Sequence, residues 1–345
     1  MKKNFNIYFC IIILLFISLL SGCSKKKEVV TDSAYMLGTH LNISIWTEDE
    51  NKGKEVIKEC FERISEIEKK MSANIKDSEV NQINNNEENR LIKVSTDTSN
   101  VLNKALEYAK ISNGVFDPTI GKLVKLWGIG TENEKVPQRL EIDDALKYVN
   151  YKLLKKEENN AYKLDKEGMR IDLGGIAKGY AADEVYRILK NKGVEHAVIN
   201  LGGNIYTLGT RQDGQIWKIG IQDPFEPTGT YMGIVQFSDK AIVTSGNYER
   251  FFVKNNKRYH HIIDPKTGYP SENGIISSTI IANHSMDADA LSTSVYILGV
   301  KKGLALVEKI ENVECIIVTK DHKVYLSSGM KGKLNIENDR FQIEN

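Results

Sequence analysis

Short β-like segments dominate the second half of the chain. From residue 161 onward, runs rich in Ile, Val, Tyr and Thr follow one another, and helical patterns interrupt them only at about residues 177–192, 286–298 and 302–310. Strands in series with few helices between them favour an α+β fold with mixed, largely antiparallel sheets over a regular βαβ array. The predicted strands are AYKL, MRID, HAVINL, IYTLG, WKIGI, MGIVQF, AIVTS, RFFV, YHHIID, SSTIIA, ECIIV and KVYLS.

The first half is more helical. Apolar residues at helical spacing predict helices over residues 52–71 and 98–112, and residues 115–140 are predicted to be a long connecting region. No break in composition divides the chain strongly. We therefore expect residues 35–345 to form a single domain in which helices pack on the sheets.

The N-terminus has the features of a secretion signal. Lys2 and Lys3 precede an apolar run that is too short for a comfortable membrane span, and the sequence LSGC follows it. LSGC resembles the lipobox of bacterial lipoproteins. It predicts a signal peptide over residues 1–22, lipidation of Cys23 and a polar, lipid-anchored tether over residues 23–34. An uncleaved anchor helix is the alternative, and both place the rest of the chain outside the cytoplasmic membrane.

Charge and cysteine content exclude two other classes of protein. Removing residues 1–22 takes away two of the 47 basic side chains and none of the 46 acidic ones, so no basic surplus points to nucleic acid. Cys60 lies on an apolar helical face and Cys315 in the apolar run ECIIV. Two buried free thiols are expected, and a disulfide framework is not.

The segment SMDADALSTSVY, residues 285–296, places acids on an otherwise apolar helix. Asp289 and Thr293 are four residues apart and share a face, which Leu291 flanks. A buried carboxylate needs a partner, and a cation is one way to keep it ionised. The alternative is an ordinary helix start, with Ser285 or Asp287 as the N-cap and acids favoured in the first turn.

Two further segments suggest a ligand site. In RIDLGGIAKGYAAD, a predicted strand ends at Asp172, and the pair Gly174-Gly175 precedes a helix that carries Lys178. Backbone N–H groups at such a turn can face an anion, although the pattern is neither a P-loop nor GxGxxG, and packing alone can require it. In RYHHIIDPKTGYP, His260 and His261 point to opposite faces if the segment is a strand, so they make a poor metal pair but one can face a pocket.

The order of these segments is distinctive. LGTHLNISIW, MSANIKDSEVNQIN, GVFDPTIGKLVKLWG, RIDLGGIAKGYAAD, VINLGGN, TSGNYERFF, HHIIDPKTGYP and MDADALSTSVYILG together resemble the ApbE family, the FAD:protein FMN transferases, over nearly all of residues 35–300. The resemblance implies a T-fold-like domain. It also implies Mg²⁺-assisted transfer of FMN from FAD to a Thr hydroxyl of an acceptor protein, which forms a phosphoester and releases AMP.

The resemblance also implies roles for individual residues. Asp289 and Thr293 match the metal-binding Asp and Thr of the family, and Gly175 supplies a backbone oxygen to the metal, while Asp287 either binds the metal or only caps the helix. His261 is the candidate general base, since an unperturbed imidazole titrates near neutrality. The positions assigned to FAD binding are Leu37, Asn74, Phe116, Asp117, Asp172, Lys178 and His261.

One position departs from the family. Many transferases have Tyr in an MSTY-like block where this chain reads MSAN, with Asn74 at that place. A smaller side chain could admit water, so a Mg²⁺-dependent FAD pyrophosphatase that yields FMN and AMP is an alternative. A non-catalytic flavin-binding surface lipoprotein is another. The resemblance points to an extracytoplasmic redox subunit with a Thr-containing motif as the acceptor.

Overall fold

A computed structural model describes residues 27–86 and 90–344. The predicted signal peptide and Cys23 lie outside these residues. The helices are α1 (Glu50–Met71), α2 (Glu79–Asn84), α3 (Thr96–Ile111), α4 (Gly121–Trp127), α5 (Arg139–Leu146), α6 (Ala177–Asn191), α7 (Ser285–Leu298) and α8 (Val300–Val307).

The strands of the first half and the middle are β1 (Glu28–Met36), β2 (Thr39–Thr47), β3 (Ile92–Lys93), β4 (Leu154–Glu157), β5 (Ala161–Leu164), β6 (Ala197–Leu201), β7 (Asn204–Leu208), β8 (Trp217–Gln222) and β9 (Tyr231–Phe237). Those that follow are β10 (Ala241–Gly246), β11 (Phe251–Lys254), β12 (Lys257–His260), β13 (Ile275–Ala282), β14 (Glu314–Thr319), β15 (Lys323–Leu326), β16 (Leu334–Ile336) and β17 (Gln342–Glu344).

One large sheet organises the fold. Its strand order is β1-β2-β6-β7-β10-β13-β14-β15-β17, and every pair is antiparallel except β15 with β17. The small sheets are β16-β9-β8, β3-β5-β4 and the hairpin β11-β12. The predicted α+β class with mixed, largely antiparallel sheets is therefore confirmed.

The two faces of the large sheet bury different cores. On one face, alternate residues of β2 such as Ile43 and Ile45 pack with Ile57 and Ile64 of α1 in a cluster that also includes α6 and α7. The other face packs on β8, β9 and β16 in a second cluster that contains Trp217. A third, small cluster joins α4 and α5 to the segment after β12.

The structure corrects several sequence-based expectations. MRID is not a strand, because only Arg170 pairs there, in a single bridge with Ile120. The connecting region 115–140 contains α4, whose C-cap Gly128 adopts the left-handed conformation that ends a helix. Residues 28–34 are not part of a tether, because they belong to β1, which pairs with β2 along its whole length.

Cys60 and Cys315 are both buried and unpaired, as predicted. Within residues 27–86 and 90–344, no helix is long and apolar enough to cross a membrane.

Candidate active site

The site is built where α6 and α7 cross. Asp289 on α7 is 3 % exposed, and its Oδ2 accepts a hydrogen bond from the backbone N–H of Gly179 on α6 at 2.9 Å. A Cβ on Gly179 would lie 2.4 Å from the carbonyl oxygen of Ser285. Glycine is therefore required at this crossing, and the missing side chain lets the carboxylate reach the backbone of the neighbouring helix.

A cation lies over the same carboxylate. Nζ of Lys178 is 3.6 Å from Oδ1 of Asp289, and it is 3.5 Å from the carbonyl oxygen of Gly174. Lys178 lies in the first turn of α6, where the free N–H groups of a helix already favour a negative ligand. This end of α6 can therefore hold an anion beside the carboxylate of Asp289.

Thr293 and the glycine turn complete the group. A Cβ on Gly175 would lie 3.5 Å from Oγ1 of Thr293 and 3.2 Å from Cε2 of Phe116. Oγ of Ser245, near the end of β10, lies 3.5 Å from Oγ1 of Thr293. The structure thus brings Phe116, Gly175 and Thr293 together, one helical turn along α7 from Asp289.

These residues fit a hard divalent cation. They offer a buried carboxylate, a hydroxyl and the backbone of a glycine turn, and Mg²⁺ prefers oxygen donors and keeps positions open for phosphates. No group of three or more His, Cys, Asp or Glu side chains that could hold a metal occurs among the described residues. A metal at this place would rely on the mixed oxygen set.

Asp287 points elsewhere. Its Oδ1 lies 3.3 Å from Nζ of Lys104 on α3. Two residues on a helix are about 200° apart, so Asp287 and Asp289 leave α7 in different directions. The structure thus separates Asp287 from the group formed by Gly175, Asp289 and Thr293.

The start of α7 is capped by a residue that sequence reasoning missed. The N-cap is His284 and not Ser285 or Asp287, and it makes no side-chain capping bond. Asp183 on α6 supplies the cap instead, because its carboxylate accepts hydrogen bonds from the backbone N–H groups of Ser285 at 2.7 Å and Met286 at 2.9 Å. Burial raises the pKa of Asp183 to about 6, and these two hydrogen bonds oppose the rise.

Asp172 organises the glycine turn. Its Oδ1 accepts a hydrogen bond from the N–H of Gly174 at 2.8 Å, and its own N–H donates to the carbonyl of Pro118 at 2.8 Å. Burial raises the pKa of Asp172, while Gly174, Arg250 and Lys178 act in the opposite direction. Both cations therefore lie within electrostatic reach of this acid.

Asp117 stabilises the loop that carries Phe116. Its carboxylate accepts from the N–H of Thr119 at 2.8 Å, from the hydroxyl of Thr119 at 2.6 Å and from the N–H of Tyr151 at 2.9 Å. Burial raises its pKa against these three bonds. The carboxylate is thus occupied by protein donors, and its contribution to the site is to hold Phe116 over Gly175.

The two histidines have different environments. His260 is buried, and its Nε2 lies 3.1 Å from the carbonyl of Ser271. His261 follows the end of β12 and is only partly buried, with its Nδ1 3.2 Å from the carbonyl of Arg250. In the tautomer in which Nδ1–H donates to this carbonyl, Nε2 is left as a proton acceptor. Burial, followed by the charge of Arg250, lowers the pKa of His261 to about 3. The ring is therefore neutral at pH 7, but it is a weaker base than the near-neutral imidazole that the sequence led us to expect.

Arg250 is a second residue that sequence reasoning missed. Its carbonyl also accepts the backbone N–H of His261 at 3.1 Å. Its side chain extends between Gly38 and Gly130, since Cβ atoms at these glycines would lie 3.9 Å and 3.6 Å from it. Within the part of the chain that the structure describes, the guanidinium forms no hydrogen bond or ion pair. A free cation thus borders His261.

Leu37 and Asn74 lie at the edge of this region. Leu37 has a positive φ of 52° in the β1–β2 turn, and its N–H donates to Oε1 of Glu68 at 2.9 Å. The next residue, Gly38, borders Arg250. Asn74 is exposed just after α1, and its N–H donates to Oγ of Ser72 at 3.2 Å. No hydrogen bond or ion pair joins Asn74 to Asp289 or His261 in the described residues.

Comparison with known proteins gives one consistent result. Residues 37–317 match the ApbE family. The chain is 34 % identical over 320 residues to the FAD:protein FMN transferase of Klebsiella pneumoniae (strain 342), covering 92 % of this chain and 98 % of that protein. It is 33 % identical to the FAD:protein FMN transferase of Treponema pallidum (strain Nichols), covering 84 % and 83 % of the two chains.

Solved structures agree with the sequences. The flavin transferase ApbE from Vibrio cholerae superimposes with a TM-score of 0.79 at 31 % identity, covering 88 % of this chain and 99 % of that chain. The ApbE protein from Thermotoga maritima superimposes with a TM-score of 0.81 at 34 % identity, covering 89 % and 99 %.

Proposed function

This chain belongs to the ApbE family and is a flavin transferase that uses FAD, and we propose that its reaction is the Mg²⁺-dependent transfer of FMN to a Thr side chain of an acceptor protein, with release of AMP. The observation that carries the proposal is the position of Asp289. A buried carboxylate is held between the N–H of Gly179 and Nζ of Lys178, one turn from Thr293 and the glycine turn.

Asp289, Thr293 and the backbone oxygen of Gly175 are the groups that would hold Mg²⁺. When bound, the metal supplies positive charge to the pyrophosphate oxygens of FAD. Lys178 and the N-terminal turn of α6 add to this charge from one side, and Arg250 adds to it from the side of Gly38. Phe116, whose ring lies close to Gly175, is proposed to contact the flavin nucleotide.

His261 is proposed to accept the proton of the attacking hydroxyl at Nε2. The bond from the Thr oxygen to the FMN phosphorus forms, and the bond from that phosphorus to the oxygen of the AMP phosphate breaks. The proton moves to His261, and the electron pair leaves with AMP. Positioning and charge supply most of the rate in such transfers. The hydrogen bond from Nδ1–H to the carbonyl of Arg250 supports this role, because it orients Nε2.

The location of the reaction follows from the N-terminus. We propose that residues 1–22 are removed, that Cys23 carries lipid and that the enzyme works on the outer side of the cytoplasmic membrane. Its acceptor is then an extracytoplasmic or membrane redox subunit with a Thr-containing flavinylation motif.

The alternative product is free FMN. Asn74 is exposed and forms no hydrogen bond with His261 in the described residues, and its side chain is smaller than the aromatic one found there in many transferases of the family. Hydrolysis and transfer would share the metal site and differ only in the nucleophile.

The deciding experiment uses purified protein with FAD and Mg²⁺, in the presence and absence of an acceptor with the Thr motif. AMP release together with acid-stable protein-bound flavin only when the acceptor is present supports the transferase. AMP and free FMN without the acceptor support the pyrophosphatase. Loss of both products in Asp289→Asn, with full activity in the exposed control Asp339→Asn, would assign the chemistry to this site.

A further inference from the structure

Lys27, four residues after the predicted lipid site Cys23, is bonded to the folded domain. Lys27 forms an ion pair with Glu195, and its carbonyl accepts a hydrogen bond from Nε2 of Gln212 at 2.8 Å. β1 begins at the next residue. Lys27 is therefore held against the segments that precede β6 and follow β7.

The covalent length from Cys23 to this point is short. Four peptide units join Cys23 to Lys27, and a fully extended chain of that length spans at most about 14 Å. A lipid on Cys23 would keep Lys27 within that distance of the membrane surface, whatever conformation the intervening residues adopt.

The surface around Lys27 exposes apolar side chains. Val29 is 55 % exposed and Ile216 is 48 % exposed. Val29 pairs with Trp46 across β1 and β2, and the ring of Trp46 lies 5.0 Å from that of Trp217. We name the surface formed by Lys27, Val29, Trp46, Arg211 and Ile216 the anchor-side face. Exposed aliphatic side chains beside indole rings and cations are typical of surfaces that meet lipid head groups.

The candidate active site lies at the other end of the same strand. β1 runs for nine residues from Glu28 to Met36, about 26 Å at the rise of a strand. The turn that follows contains Leu37 and Gly38, and Gly38 borders Arg250 beside His261. β1 therefore spans the distance between the anchor-side face and the active site.

We propose that the anchor-side face lies against the outer surface of the lipid bilayer with β1 pointing away from it, which would place the active site up to about 26 Å farther out. This inference rests on the proposed lipidation of Cys23. The proposed orientation also constrains the acceptor protein. Its Thr must lie at the height of the active site, on a domain held above the membrane, and not at the bilayer surface.

The charges on the face indicate what holds it there. Lys27 is paired with Glu195, and Arg211 is paired with Asp213 at 3.3 Å. Paired cations attract anionic lipid weakly, so the lipid chain supplies the affinity and the apolar residues set the orientation. We expect the orientation to persist at high salt, unlike that of a protein held by a basic patch.

The test uses the full-length lipoprotein in vesicles of phosphatidylcholine and phosphatidylglycerol. Val29 and Tyr35 are both exposed, lie on the same side of β1 and are separated by about 20 Å along the strand. The variants Val29→Cys, Ile216→Cys and Tyr35→Cys each receive a fluorescent label. Cys60 and Cys315 are buried, so the label reacts at the introduced thiol. The readout is quenching by phosphatidylcholine that carries a nitroxide on its head group.

Strong quenching at positions 29 and 216 with little quenching at position 35 is the expected result. Equal quenching at positions 29 and 35, or stronger quenching at position 35, would overturn the orientation. Failure of the protein to float with the vesicles would overturn the anchorage and the orientation together. Flavin transfer to a soluble acceptor, measured on the same samples, reports separately whether the proposed reaction holds.

A second experiment measures reach. An acceptor domain is attached to the same vesicles through proline-rich spacers of about 4 and about 15 residues, which extend roughly 12 and 45 Å. Flavinylation only with the long spacer is expected. Equal flavinylation with both spacers would contradict the proposed height of the site.

Discussion

The backbone N–H of Gly179 donates a hydrogen bond of 2.9 Å to the carboxylate of Asp289, a residue that lies 110 positions later in the sequence on a different helix. The bond holds the proposed metal ligand by the backbone of α6, and a backbone donor cannot move away as a side chain can. The geometry of the site therefore depends on how closely α6 and α7 pack.

The first prediction concerns the carboxylate itself. Asp289→Asn keeps the shape of the side chain but removes the charge that would hold Mg²⁺, so we expect the turnover number for AMP release to fall at least about 100-fold. The measurement is AMP release at saturating FAD over a range of Mg²⁺ concentrations. An unchanged turnover number in Asp289→Asn would remove this residue from the metal site, and Asp339→Asn is the matched control.

The second prediction concerns the helix crossing. Gly179→Ala places a Cβ 2.4 Å from the carbonyl oxygen of Ser285, so α6 and α7 must separate. We expect a loss of unfolding free energy of about 1–3 kcal/mol and weaker Mg²⁺ dependence of activity. Gly193→Ala separates the two causes, because Gly193 has open space around it and a cost there comes only from its positive φ, so this variant should leave the Mg²⁺ dependence unchanged. Denaturant unfolding and Mg²⁺ titration would measure both effects, and a variant with native stability would contradict the packing argument.

The third prediction concerns the cap on α7. Asp183→Ala leaves the N–H groups of Ser285 and Met286 without their acceptor, and such losses cost about 1–2 kcal/mol. Asp49→Ala removes the side-chain cap of α1, far along the sequence from the site, and should cost a similar amount. Only Asp183→Ala should weaken Mg²⁺ binding, since only α7 carries Asp289 and Thr293. Equal Mg²⁺ affinity in the two variants would make Asp183 a purely structural cap.

The fourth prediction concerns pH. The pKa of His261 is lowered to about 3 from an ordinary value of 6.5, so the unfolded chain binds the proton more tightly than the folded protein does. The contribution of His261 to stability is therefore complete above pH 6.5 and is lost as the pH falls towards 3. In His261→Gln, the free energy of unfolding should decrease less between pH 7 and pH 4.5 than in the unmodified protein. Unfolding curves at these two pH values would measure the difference.

The same shift bears on the pH profile of the reaction. Because His261 is neutral at pH 5, the rate of flavin transfer should not fall as the pH drops below 6.5. An unperturbed imidazole acting as the base would cause such a fall, because it would become protonated in this range. His261→Gln should lower the turnover number by about 10²- to 10⁴-fold if Nε2 is the base. A clear activity loss centred near pH 6.5 in the unmodified protein, absent from His261→Gln, would contradict the lowered pKa.

The fifth prediction concerns Arg250. Arg250→Gln keeps the carbonyl that orients His261 and removes the positive charge near Gly38, so KM for FAD should rise about tenfold while turnover changes less. Arg211→Gln, at the opposite end of β1, is the control and should leave KM unchanged. A fall in turnover without a change in KM would place Arg250 in the chemical step and not in FAD binding.

Much of this protein was predictable because its signals are local. The strand-rich second half indicated an α+β fold, and the spacing of Asp289 and Thr293 placed both on one face of a helix, because a helix repeats every 3.6 residues. The apolar neighbours of Cys60 in a helix and of Cys315 in a strand predicted two buried thiols, which the structure confirms. The order of the motifs identified the family, which neither composition nor periodicity could do.

The predictions that failed concern contacts between distant segments. MRID has the composition of a strand, but it finds only one bridging partner, at Ile120. Residues 28–34 are polar enough to look like a tether, yet β2 supplies a full set of pairing partners for them. Whether an extended segment becomes a strand depends on a neighbour that the segment itself does not encode.

Sequence by itself determined the family, the fold class and the helical face that carries Asp289 and Thr293, because these depend on residue order and helical repeat. Only the tertiary structure decided that Gly179 and Asp183 hold that helix, that Asp287 pairs with Lys104 and that Arg250 borders His261. Each of these contacts depends on the angle and distance at which two elements pack. Those are set by the shape of the whole core, and no local pattern specifies them.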